Sequence, residues 1–440
     1  MKILFINPWS VKPTKSRLIN RLDRVNGDNL VCQILASVTP RDHCLEMIND
    51  VVQPIDFDAD VEMVALTTLT RTAPRAYEIA DEFRRRGKTV VLGGWHASAL
   101  PQEAKLHADS VVIGEAEEIW PKVLHDFEQK TLQPFYEQDR PADLDAVPIL
   151  TREQREPYKL SSFFQSIEIT KGCPTGCNFC SISYRKFGSL HRTRSIENAI
   201  KELEAIPQKF IVFSDPSLTI NPKYTKQLFK AMKGLNKKFI GEGNANVLAR
   251  DDELLKLAAE AGCIYWYVGF ESVNQETVNS IGKTTNKVEN YKKVIKKVHD
   301  YGMCLEAALM FGFDTDAPDV FENTLQAIQS WDIDLMDFST LTPYPGTPLF
   351  SQLEEQGRIL TREWEKYDSF QVVFQPKQMT PEQLLKGVQR MWEEFYTPLR
   401  CIKRSAKSIA LGLYPFVLTT ERNYNFYQNV KTMTASSHST

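Results

Sequence analysis

Short apolar runs alternate with amphipathic segments along most of this chain, and this alternation restricts its fold more than any other feature. The apolar runs before residue 132 are KILFINP, VEMVALTTL, TVVLGG and DSVVIGE. The segment PRAYEIADEFRRRG has proline at its start and glycine at its end, as an amphipathic helix does. Strands that are apolar on both faces and separated by helices indicate a parallel sheet covered on both sides. The sequence therefore predicts an α/β fold, with a doubly wound domain at residues 1–131.

A second alternating series begins at Gln165. Its predicted strands are QSIEIT, KFIVFSD, FIGEGN, IYWYVGFES, CLEAALMFGF and DFSTLTPYPG. Six strand–helix units are fewer than the eight of a closed barrel, so the pattern predicts a partial (β/α)6, TIM-like barrel at residues 165–350. Residues 132–164, richer in proline and charge, are predicted to be a linker. Residues 351–430 are predicted to be mostly helical, and the polar residues 431–440 to be disordered.

The composition excludes several classes of protein. The chain has 440 residues, of which 42% are hydrophobic and 25% charged, and its formal net charge of −3 gives no basis for nucleic-acid binding. No stretch approaches the roughly 20 apolar residues of a membrane span. The N-terminus MKILFINPWS is predicted to be a strand and not a signal peptide. We therefore expect a cytoplasmic protein whose thiols are reduced.

Three of the eight cysteines, Cys173, Cys177 and Cys180, follow directly after the first strand of the second series. Thiolates are soft ligands that select zinc, copper(I) or iron–sulfur clusters. A structural zinc site needs four ligands, and the nearest further candidate, His191, has no second ligand beside it. Three cysteines can instead hold three irons of a 4Fe–4S cluster and leave the fourth iron open. The other five cysteines are scattered and are predicted to pack as small hydrophobes.

The spacing C-x-x-x-C-x-x-C, with Phe179 before the last cysteine, resembles the signature of the radical SAM superfamily. This resemblance implies that the open iron binds S-adenosylmethionine, which is then cleaved to a 5′-deoxyadenosyl radical. It also implies that residues at the strand ends bind this cofactor. Besides Phe179, these are Asp215 in SDPSL, Asn244 and Asn246 in GEGNAN (which also offers Glu242), Glu271 in VGFES and Gly312 in MFGFDTD. The alternative role for each polar residue is a helix N-cap or a turn.

The segment VVLGGWHASALPQEAKLHADSVVIGEAEEIWPKVL resembles the cobalamin-binding domain of the cobalamin-dependent radical SAM enzymes, such as hopanoid methylases and the magnesium-porphyrin cyclase. The first domain is thus expected to be a Rossmann-like, cobalamin-binding-type domain. The expected cobalamin contacts are Gly93, Gly94, His96, Gly114 and Glu115. The motif D-x-H-x-x-G is absent, which this subgroup does not require but which leaves open a domain without cobalamin. The alternative for His96 is a loop residue hydrogen-bonded to backbone.

These resemblances imply an enzyme that uses a 4Fe–4S cluster, S-adenosylmethionine and cobalamin to methylate an unactivated carbon of a hydrophobic small molecule, such as a lipid or tetrapyrrole. They also imply an external one-electron donor such as flavodoxin or ferredoxin. They identify no catalytic side chain. Two alternatives remain: a radical SAM enzyme of the same architecture that acts as a cyclase, oxidase or rearranging enzyme, and a non-catalytic module with a structural metal.

The C-terminal region joins a basic segment, RCIKRSAK, to an apolar one, SIALGLYPFVL. We expect these residues to form a helix that packs against the mouth of the barrel. The alternative is peripheral membrane contact, since a basic segment joined to an apolar one is typical of a surface that meets anionic lipid headgroups.

Overall fold

A computed structural model of the chain describes residues 1–9, 30–51, 53–150 and 163–437, without the side chains of 432–437. The N-terminal domain is a six-stranded parallel sheet of order β2-β1-β3-β4-β5-β6. Its strands are β1 (Lys2–Asn7), β2 (Cys44–Asn49), β3 (Met63–Thr67), β4 (Thr89–Gly93), β5 (Ser110–Ile113) and β6 (Phe135–Glu137). Its helices are α1 (Leu30–Val38), α2 (Ala73–Arg85), α3 (Trp95–Ala99), α4 (Pro101–His107) and α5 (Trp120–Glu128), with a 3₁₀ turn at Thr70–Thr72. The predicted doubly wound, Rossmann-like domain is confirmed.

Both faces of this sheet are buried because its strands carry apolar side chains in either direction. In β1, Phe5 belongs to the core on the side of Trp120, whose ring lies 5.3 Å away. The next residue, Ile6, belongs to a second core with Phe83 of α2. The near-continuous apolar runs thus indicate a sheet that is covered by helices on both faces.

One element lies where a linker was expected. Phe135–Glu137 pairs in parallel with β5 as the edge strand β6, within the residues 132–164 predicted to be a linker. A strand of three residues is too short to show an alternation of apolar and polar side chains in the sequence. It is recognised only from its pairing with β5. Residues 151–162 of the predicted linker lie outside the described part of the chain.

The second sheet is also parallel, with the order β14-β13-β12-β11-β10-β7. Its strands are β7 (Phe164–Ile167), β10 (Phe210–Phe213), β11 (Lys238–Glu242), β12 (Cys263–Glu271), β13 (Cys304–Phe311) and β14 (Leu335–Thr340). A two-stranded antiparallel pair, β8 (Thr170–Lys171) and β9 (Arg192–Thr193), follows β7. The first and last strands of the sheet, β7 and β14, do not pair with each other. The predicted partial (β/α)6 barrel is therefore confirmed.

Helices cover the outside of this barrel, and their ends follow local sequence signals. They are α6 (Ser181–Tyr184), α7 (Ile196–Ala205), α8 (Pro222–Met232), α9 (Ala245–Leu248), α10 (Asp252–Ala261), α11 (Gln275–Ser280), α12 (Tyr291–Asp300) and α13 (Val320–Gln329), with a 3₁₀ turn at Val288–Asn290. The α10 helix begins where Asp251 accepts a hydrogen bond from the Leu254 N–H at 3.0 Å. It ends at Gly262, which has a φ of 103°.

Alternate residues of β12 face opposite sides of the barrel wall. Phe270 points outward and stacks on Tyr291 of α12, with ring centroids 3.8 Å apart. Tyr265 and Tyr267 point inward, where their hydroxyls donate to Glu306 at 2.6 Å and Asp337 at 3.2 Å. The outer face therefore supplies the apolar core, while the barrel interior is polar.

C-terminal helices complete the barrel. They are α14 (Pro348–Glu355), α15 (Pro381–Phe395), α16 (Pro398–Ser408) and α17 (Leu413–Ser437), with 3₁₀ turns at Trp364–Lys366 and Ile409–Leu411. The Tyr396 hydroxyl, just after α15, donates to the carbonyl of Met336 at 2.6 Å and accepts from its N–H at 3.0 Å. The Trp392 indole donates to the carbonyl of Phe338 at 2.7 Å. These side chains satisfy backbone groups of the edge strand β14 that would otherwise be open to another strand.

The helix α17 continues to Ser437 and so extends into residues 431–440, the segment predicted to be disordered. Extending a helix that is already packed, as α17 is at Phe426, costs much less than starting one. Residues 438–440 lie outside the described part. Among the described helices, none combines the length and hydropathy needed to cross a membrane.

Candidate functional site

The three cysteines lie on a loop between β8 and α6, at the carboxyl end of the barrel strands. Backbone hydrogen bonds hold the loop: the Cys173 N–H donates to the Gly188 carbonyl at 2.8 Å, and the Cys180 N–H donates to the Cys177 carbonyl at 3.0 Å. Gly172 has a φ of 83°, and a Cβ there would overlap the Leu190 carbonyl. Only glycine fits this position.

Two other segments fix the loop from outside. The Asn178 N–H donates to the carbonyl of Ile281 at 3.1 Å, and the Asn178 carbonyl accepts from the Leu349 N–H at 3.1 Å. Nδ1 of His191 lies 3.1 Å from the Gly172 carbonyl. His191, the nearest candidate for a fourth ligand, is thus engaged with the loop backbone.

Cys177 is buried, and Cys173 and Cys180 are half-buried. Burial raises the pKa of Cys177 to about 12 and also raises the pKa of Cys180, while the nearby Lys283 ammonium opposes the rise. Among the described residues, no three histidine, cysteine, aspartate or glutamate side chains are placed to hold one metal ion. Cysteine ligands of a cubane cluster each bind a different iron. Three thiols beside an ammonium form a donor set that fits an anionic iron–sulfur cluster.

Lys283 is a site residue that the sequence analysis missed. Its ammonium forms an ion pair with Glu271, at the end of β12, and both side chains are almost fully buried. Glu271 has a φ of 65°, and a Cβ on Gly269 would lie 2.4 Å from its carboxylate. In the sequence, Lys283 is simply a lysine in the loop after α11. No periodic pattern predicts that this loop returns to the end of β12.

Asp215 supports the start of the cysteine loop. Its Oδ1 accepts hydrogen bonds from the N–H groups of Ile169, at 3.1 Å, and Thr170. Its Oδ2 is buried without a hydrogen-bond partner among the described residues. Burial raises the pKa of this carboxyl to about 8. One oxygen of Asp215 thus orients the backbone, and the other is left for a ligand.

The remaining residues predicted to bind S-adenosylmethionine lie at the same edge of the sheet. The Asn244 N–H donates to Thr219 at 2.7 Å, at the start of α9. Oδ1 of Asn246 is buried and has no hydrogen-bond partner in the described structure. Gly312 has a φ of 106° and donates its N–H to Asp316 at 2.9 Å. The Phe179 ring lies 6.4 Å from Phe313, which follows Gly312.

The end of β11 presents an acid to the barrel interior. The side chain of Glu242 is accessible to solvent, yet burial raises the pKa of its carboxyl to about 7. Both observations fit a side chain that lines an internal cavity. Burial also raises the pKa of Asp337, on β14, to about 6.

The glycines predicted to contact cobalamin occupy tight positions in the first domain. Gly93 ends β4, and Gly94 has a φ of 97°, where a Cβ would lie 2.6 Å from the Thr68 N atom. Gly114 also has a φ of 97°, and a Cβ there would lie 2.6 Å from Oε1 of Gln138. Packing within the protein is enough to require glycine at positions 94 and 114.

His96, which was predicted to contact cobalamin, is surrounded by protein groups. The side chain has no exposed surface, and its Nε2 lies 3.1 Å from Glu103. Its ring packs edge-on against Trp364 at 5.2 Å. His96 therefore lies within the contact between the first domain and the C-terminal region.

Glu115, which was also predicted to contact cobalamin, directs its carboxylate toward the barrel domain. Arg192 of β9 binds it with both guanidinium nitrogens, at 2.5 and 2.8 Å, and Gln138 donates to it at 3.1 Å. Burial opposes the effect, but the hydrogen bonds from Arg192 and the charge of Lys171 lower the pKa of Glu115 to about 2. This carboxylate is occupied by protein groups.

A second ion pair lies beside the first. Glu117 pairs with Lys171, the last residue of β8 and the second residue before Cys173. Both side chains are about nine-tenths buried. Together, the pairs Glu115–Arg192 and Glu117–Lys171 form a contact that we call the interdomain latch. The latch joins the carboxyl end of the first sheet to the strand that leads into the cysteine loop.

Comparison with known proteins agrees with both parts of the fold. The radical SAM superfamily matches residues 167–328, the B12 binding domain matches residues 35–124, and a domain of unknown function (DUF4070) matches residues 347–435. Bacteriochlorophyllide d C-12(1)-methyltransferase of Chlorobaculum tepidum is 31% identical over 360 residues, which are 80% of this chain and 78% of that protein. Hopanoid C-3 methylase of Methylococcus capsulatus is 25% identical over 439 residues, 90% of this chain and 81% of that protein.

A solved structure has the same overall fold. It is the radical S-adenosylmethionine methyltransferase TsrM from Kitasatospora setae, with cobalamin and a 4Fe–4S cluster bound. The TM-score is 0.71 at 14% identity, over 99% of both chains. The similarity extends across both domains and the C-terminal helices.

Proposed function

The chain belongs to the cobalamin-dependent radical SAM methyltransferases, and from this premise we propose that it methylates an unactivated carbon of a hydrophobic small molecule, a tetrapyrrole or a lipid. One observation carries the proposal: the interdomain latch fixes the three-cysteine loop against the cobalamin-type domain. Relatives named for methylation of bacteriochlorophyllide and hopanoids support these two substrate classes.

The residues at the barrel mouth fit the cofactors of this family. Cys173, Cys177 and Cys180 would hold the cluster, and Lys283 would offset part of its negative charge. The buried, unpartnered oxygens of Asp215 and Asn246 are available to bind S-adenosylmethionine. The chemistry that these cofactors supply when bound is the reduction of a sulfonium by one electron and the carriage of a methyl group.

The protein closes one end of the barrel interior. Arg422 of α17 pairs with Glu306 at 2.6 Å, and its guanidinium lies 5.5 Å from the centroid of the Tyr265 ring, near the amino ends of β12 and β13. The open end faces the cysteine loop and the first domain. A substrate would therefore enter from the side of the cofactors, and Glu242 and Asp337 would offer it hydrogen bonds inside the barrel. Protein walls around that space keep water away from a reactive carbon.

The surface beside the cysteine loop suits an acidic electron donor such as flavodoxin or ferredoxin. Tyr184 is 40% exposed, and its hydroxyl donates to the carbonyl of Gly176 within the loop at 2.7 Å. The next two residues are basic: Arg185 is half-buried with its guanidinium 4.8 Å from the centroid of the Trp95 ring, and Lys186 is exposed and pairs with Glu137 at 2.5 Å. An acidic donor would compete with Glu137 for Lys186 at this position beside the loop.

Anaerobic turnover of the reconstituted protein tests the function. The protein is incubated with S-adenosylmethionine, hydroxocobalamin, a reductant and either a magnesium tetrapyrrole or a hopanoid. We expect 5′-deoxyadenosine, S-adenosylhomocysteine and a product heavier by one methylene group. A product that forms with 5′-deoxyadenosine but without S-adenosylhomocysteine would assign the protein to the cyclase or oxidase class. No turnover with any member of either substrate class would exclude the proposed substrates.

A further inference from the structure

Helices α16 and α17 form a hairpin whose outer face is apolar. Arg404 of α16 donates to Asn423 of α17 at 2.7 Å, which holds the two helices side by side. Five large apolar side chains point away from the protein and are between 52% and 68% exposed: Leu399, Ile402, Ile409, Leu413 and Val417. We call this set the hairpin face. Scattered apolar residues are normal on a surface, but a group of this size on one hairpin marks an interaction site.

Basic residues surround the hairpin face. Lys403 is exposed on α16, and no acidic residue occurs between positions 398 and 420. Folding adds two lysines that are remote in sequence: the Lys209 ammonium donates to the Tyr414 hydroxyl at 2.8 Å, and that of Lys238 lies 5.4 Å from the centroid of the same ring. The tertiary structure thus extends the basic rim beyond the segment that the sequence marked.

Few acids oppose these charges. Asp332 pairs with Lys407 at 2.5 Å, and Glu394 lies 3.9 Å from Arg400. Glu421 is exposed and marks the end of the apolar stripe on α17. Lys403 has no ion-pair partner within the described structure. The rim therefore keeps an excess of positive charge.

We propose that the hairpin face and its lysine rim bind the surface of a membrane that contains anionic lipids. Apolar side chains flanked by lysines have the pattern of an interfacial helix, whose apolar face enters the headgroup region while the cations meet lipid phosphates. A second copy of this chain suits the face less well, because a two-fold contact would bring one basic rim against another.

The position of the hairpin face agrees with this role. Lys209 and Lys238 lie at the amino ends of β10 and β11, whereas the cysteine loop lies at the carboxyl ends of the strands. Membrane contact through the hairpin would leave the open end of the barrel and the interdomain latch uncovered. The proposal concerns attachment of the protein and does not depend on methyl transfer.

Vesicle sedimentation of the full-length protein tests the proposal without any turnover. The probes are phosphatidylcholine vesicles with and without phosphatidylglycerol. We expect sedimentation with the anionic vesicles only, and weaker binding as salt rises. Reversal of one charge by Lys403→Glu should weaken the partition coefficient by more than about fivefold, since it removes one lysine's attraction to the anionic surface and adds repulsion. The double variant Ile409→Ser/Leu413→Ser should lose binding by more than tenfold.

Leu106→Ser is the matched control. Leu106 is 73% exposed on α4 of the first domain, away from the hairpin. Binding equal to the wild type is expected for this variant. The proposal is overturned if the wild type stays in solution with anionic vesicles, or if Leu106→Ser weakens binding as much as the hairpin variants. It is also overturned if light scattering shows a dimer that Ile409→Ser/Leu413→Ser dissociates.

Discussion

Glu271 has a backbone conformation that glutamate rarely adopts, with a φ of 65°. The register between β12 and β13 shifts between Gly269 and Glu271, and this irregularity turns the carboxylate toward Lys283. A non-glycine residue in the left-handed region costs about 1 kcal/mol or more. Retention of such a residue next to the cysteine loop agrees with a role in the site.

The cysteines of the loop and the scattered cysteines should respond differently to substitution. Cys177→Ala removes one of three cluster ligands, so we expect the reconstituted variant to lose most of its iron and its cleavage of S-adenosylmethionine. Cys44→Ala is the control, because Cys44 is an exposed thiol on β2. Iron content, visible absorption and 5′-deoxyadenosine formation measure the effect. Full iron loading of Cys177→Ala would contradict the assignment.

At the level of elements, the segment GEAEE joins the first domain to the barrel. The loop after β5 places Glu115 against Arg192 of β9 and Glu117 against Lys171 of β8. Two of its carboxylates therefore set the position of the cysteine loop relative to the first sheet. This arrangement explains how a signature of the cobalamin-type domain contributes to the barrel site.

The contribution of Glu115 to the free energy of unfolding should vary with pH. Its pKa of about 2 is lower than the ordinary value of 4.5, so its stabilising contribution is complete above pH 4.5 and is lost as the pH falls toward 2. Glu115→Gln should cost about 3–5 kcal/mol at pH 7, because it leaves the largely buried Arg192 side chain without its carboxylate partner. The difference from the wild type should shrink below pH 4. Denaturant unfolding at pH 7 and pH 3.5 measures both.

Glu118→Gln is the control for this experiment. Glu118 belongs to the same segment but pairs with Arg140 at a more exposed position. Its loss should cost less than 1 kcal/mol at either pH. Equal losses for Glu115→Gln and Glu118→Gln would contradict the interdomain latch.

The Tyr396 hydroxyl satisfies two backbone groups of one residue, Met336, in the edge strand β14. Tyr396→Phe leaves the N–H and carbonyl of Met336 without that partner, and we expect a loss of about 2–3 kcal/mol in the free energy of unfolding. Tyr424→Phe is the control, because Tyr424 is exposed. Denaturant unfolding compares the two variants. A loss below about 0.5 kcal/mol for Tyr396→Phe would show that water or another group replaces the hydroxyl.

At the scale of the whole molecule, the C-terminal helices close the barrel at the amino ends of its strands. The first domain faces the carboxyl ends. The Arg422–Glu306 pair connects α17 to the barrel interior. Arg422→Met leaves Glu306 buried without its cation and should cost about 3–5 kcal/mol. The double variant Arg422→Met/Glu306→Leu should recover part of this loss, as measured by denaturant unfolding. Recovery is not expected if Arg422 acts mainly through packing.

The sequence alone determined the two parallel sheets and the position of the cysteine loop. Apolar runs such as KILFINP indicate strands that are buried on both faces, and glycines and proline mark where the helices and loops turn. The spacing of Cys173, Cys177 and Cys180 involves only residues close together in the chain, so it can be read directly from the sequence. Patterns of this kind predict the structure well because they depend only on residues that are neighbours along the chain.

Only the tertiary structure decided which charged groups meet. Lys283 pairs with Glu271, 12 positions away in the chain, and Arg192 pairs with Glu115, 77 positions away. No pattern in the sequence around either residue predicts its partner. For His96 too, only the tertiary structure shows that the side chain is buried against Trp364. Apolar periodicity records which face of an element is buried, but pairing between distant side chains depends on how those elements pack.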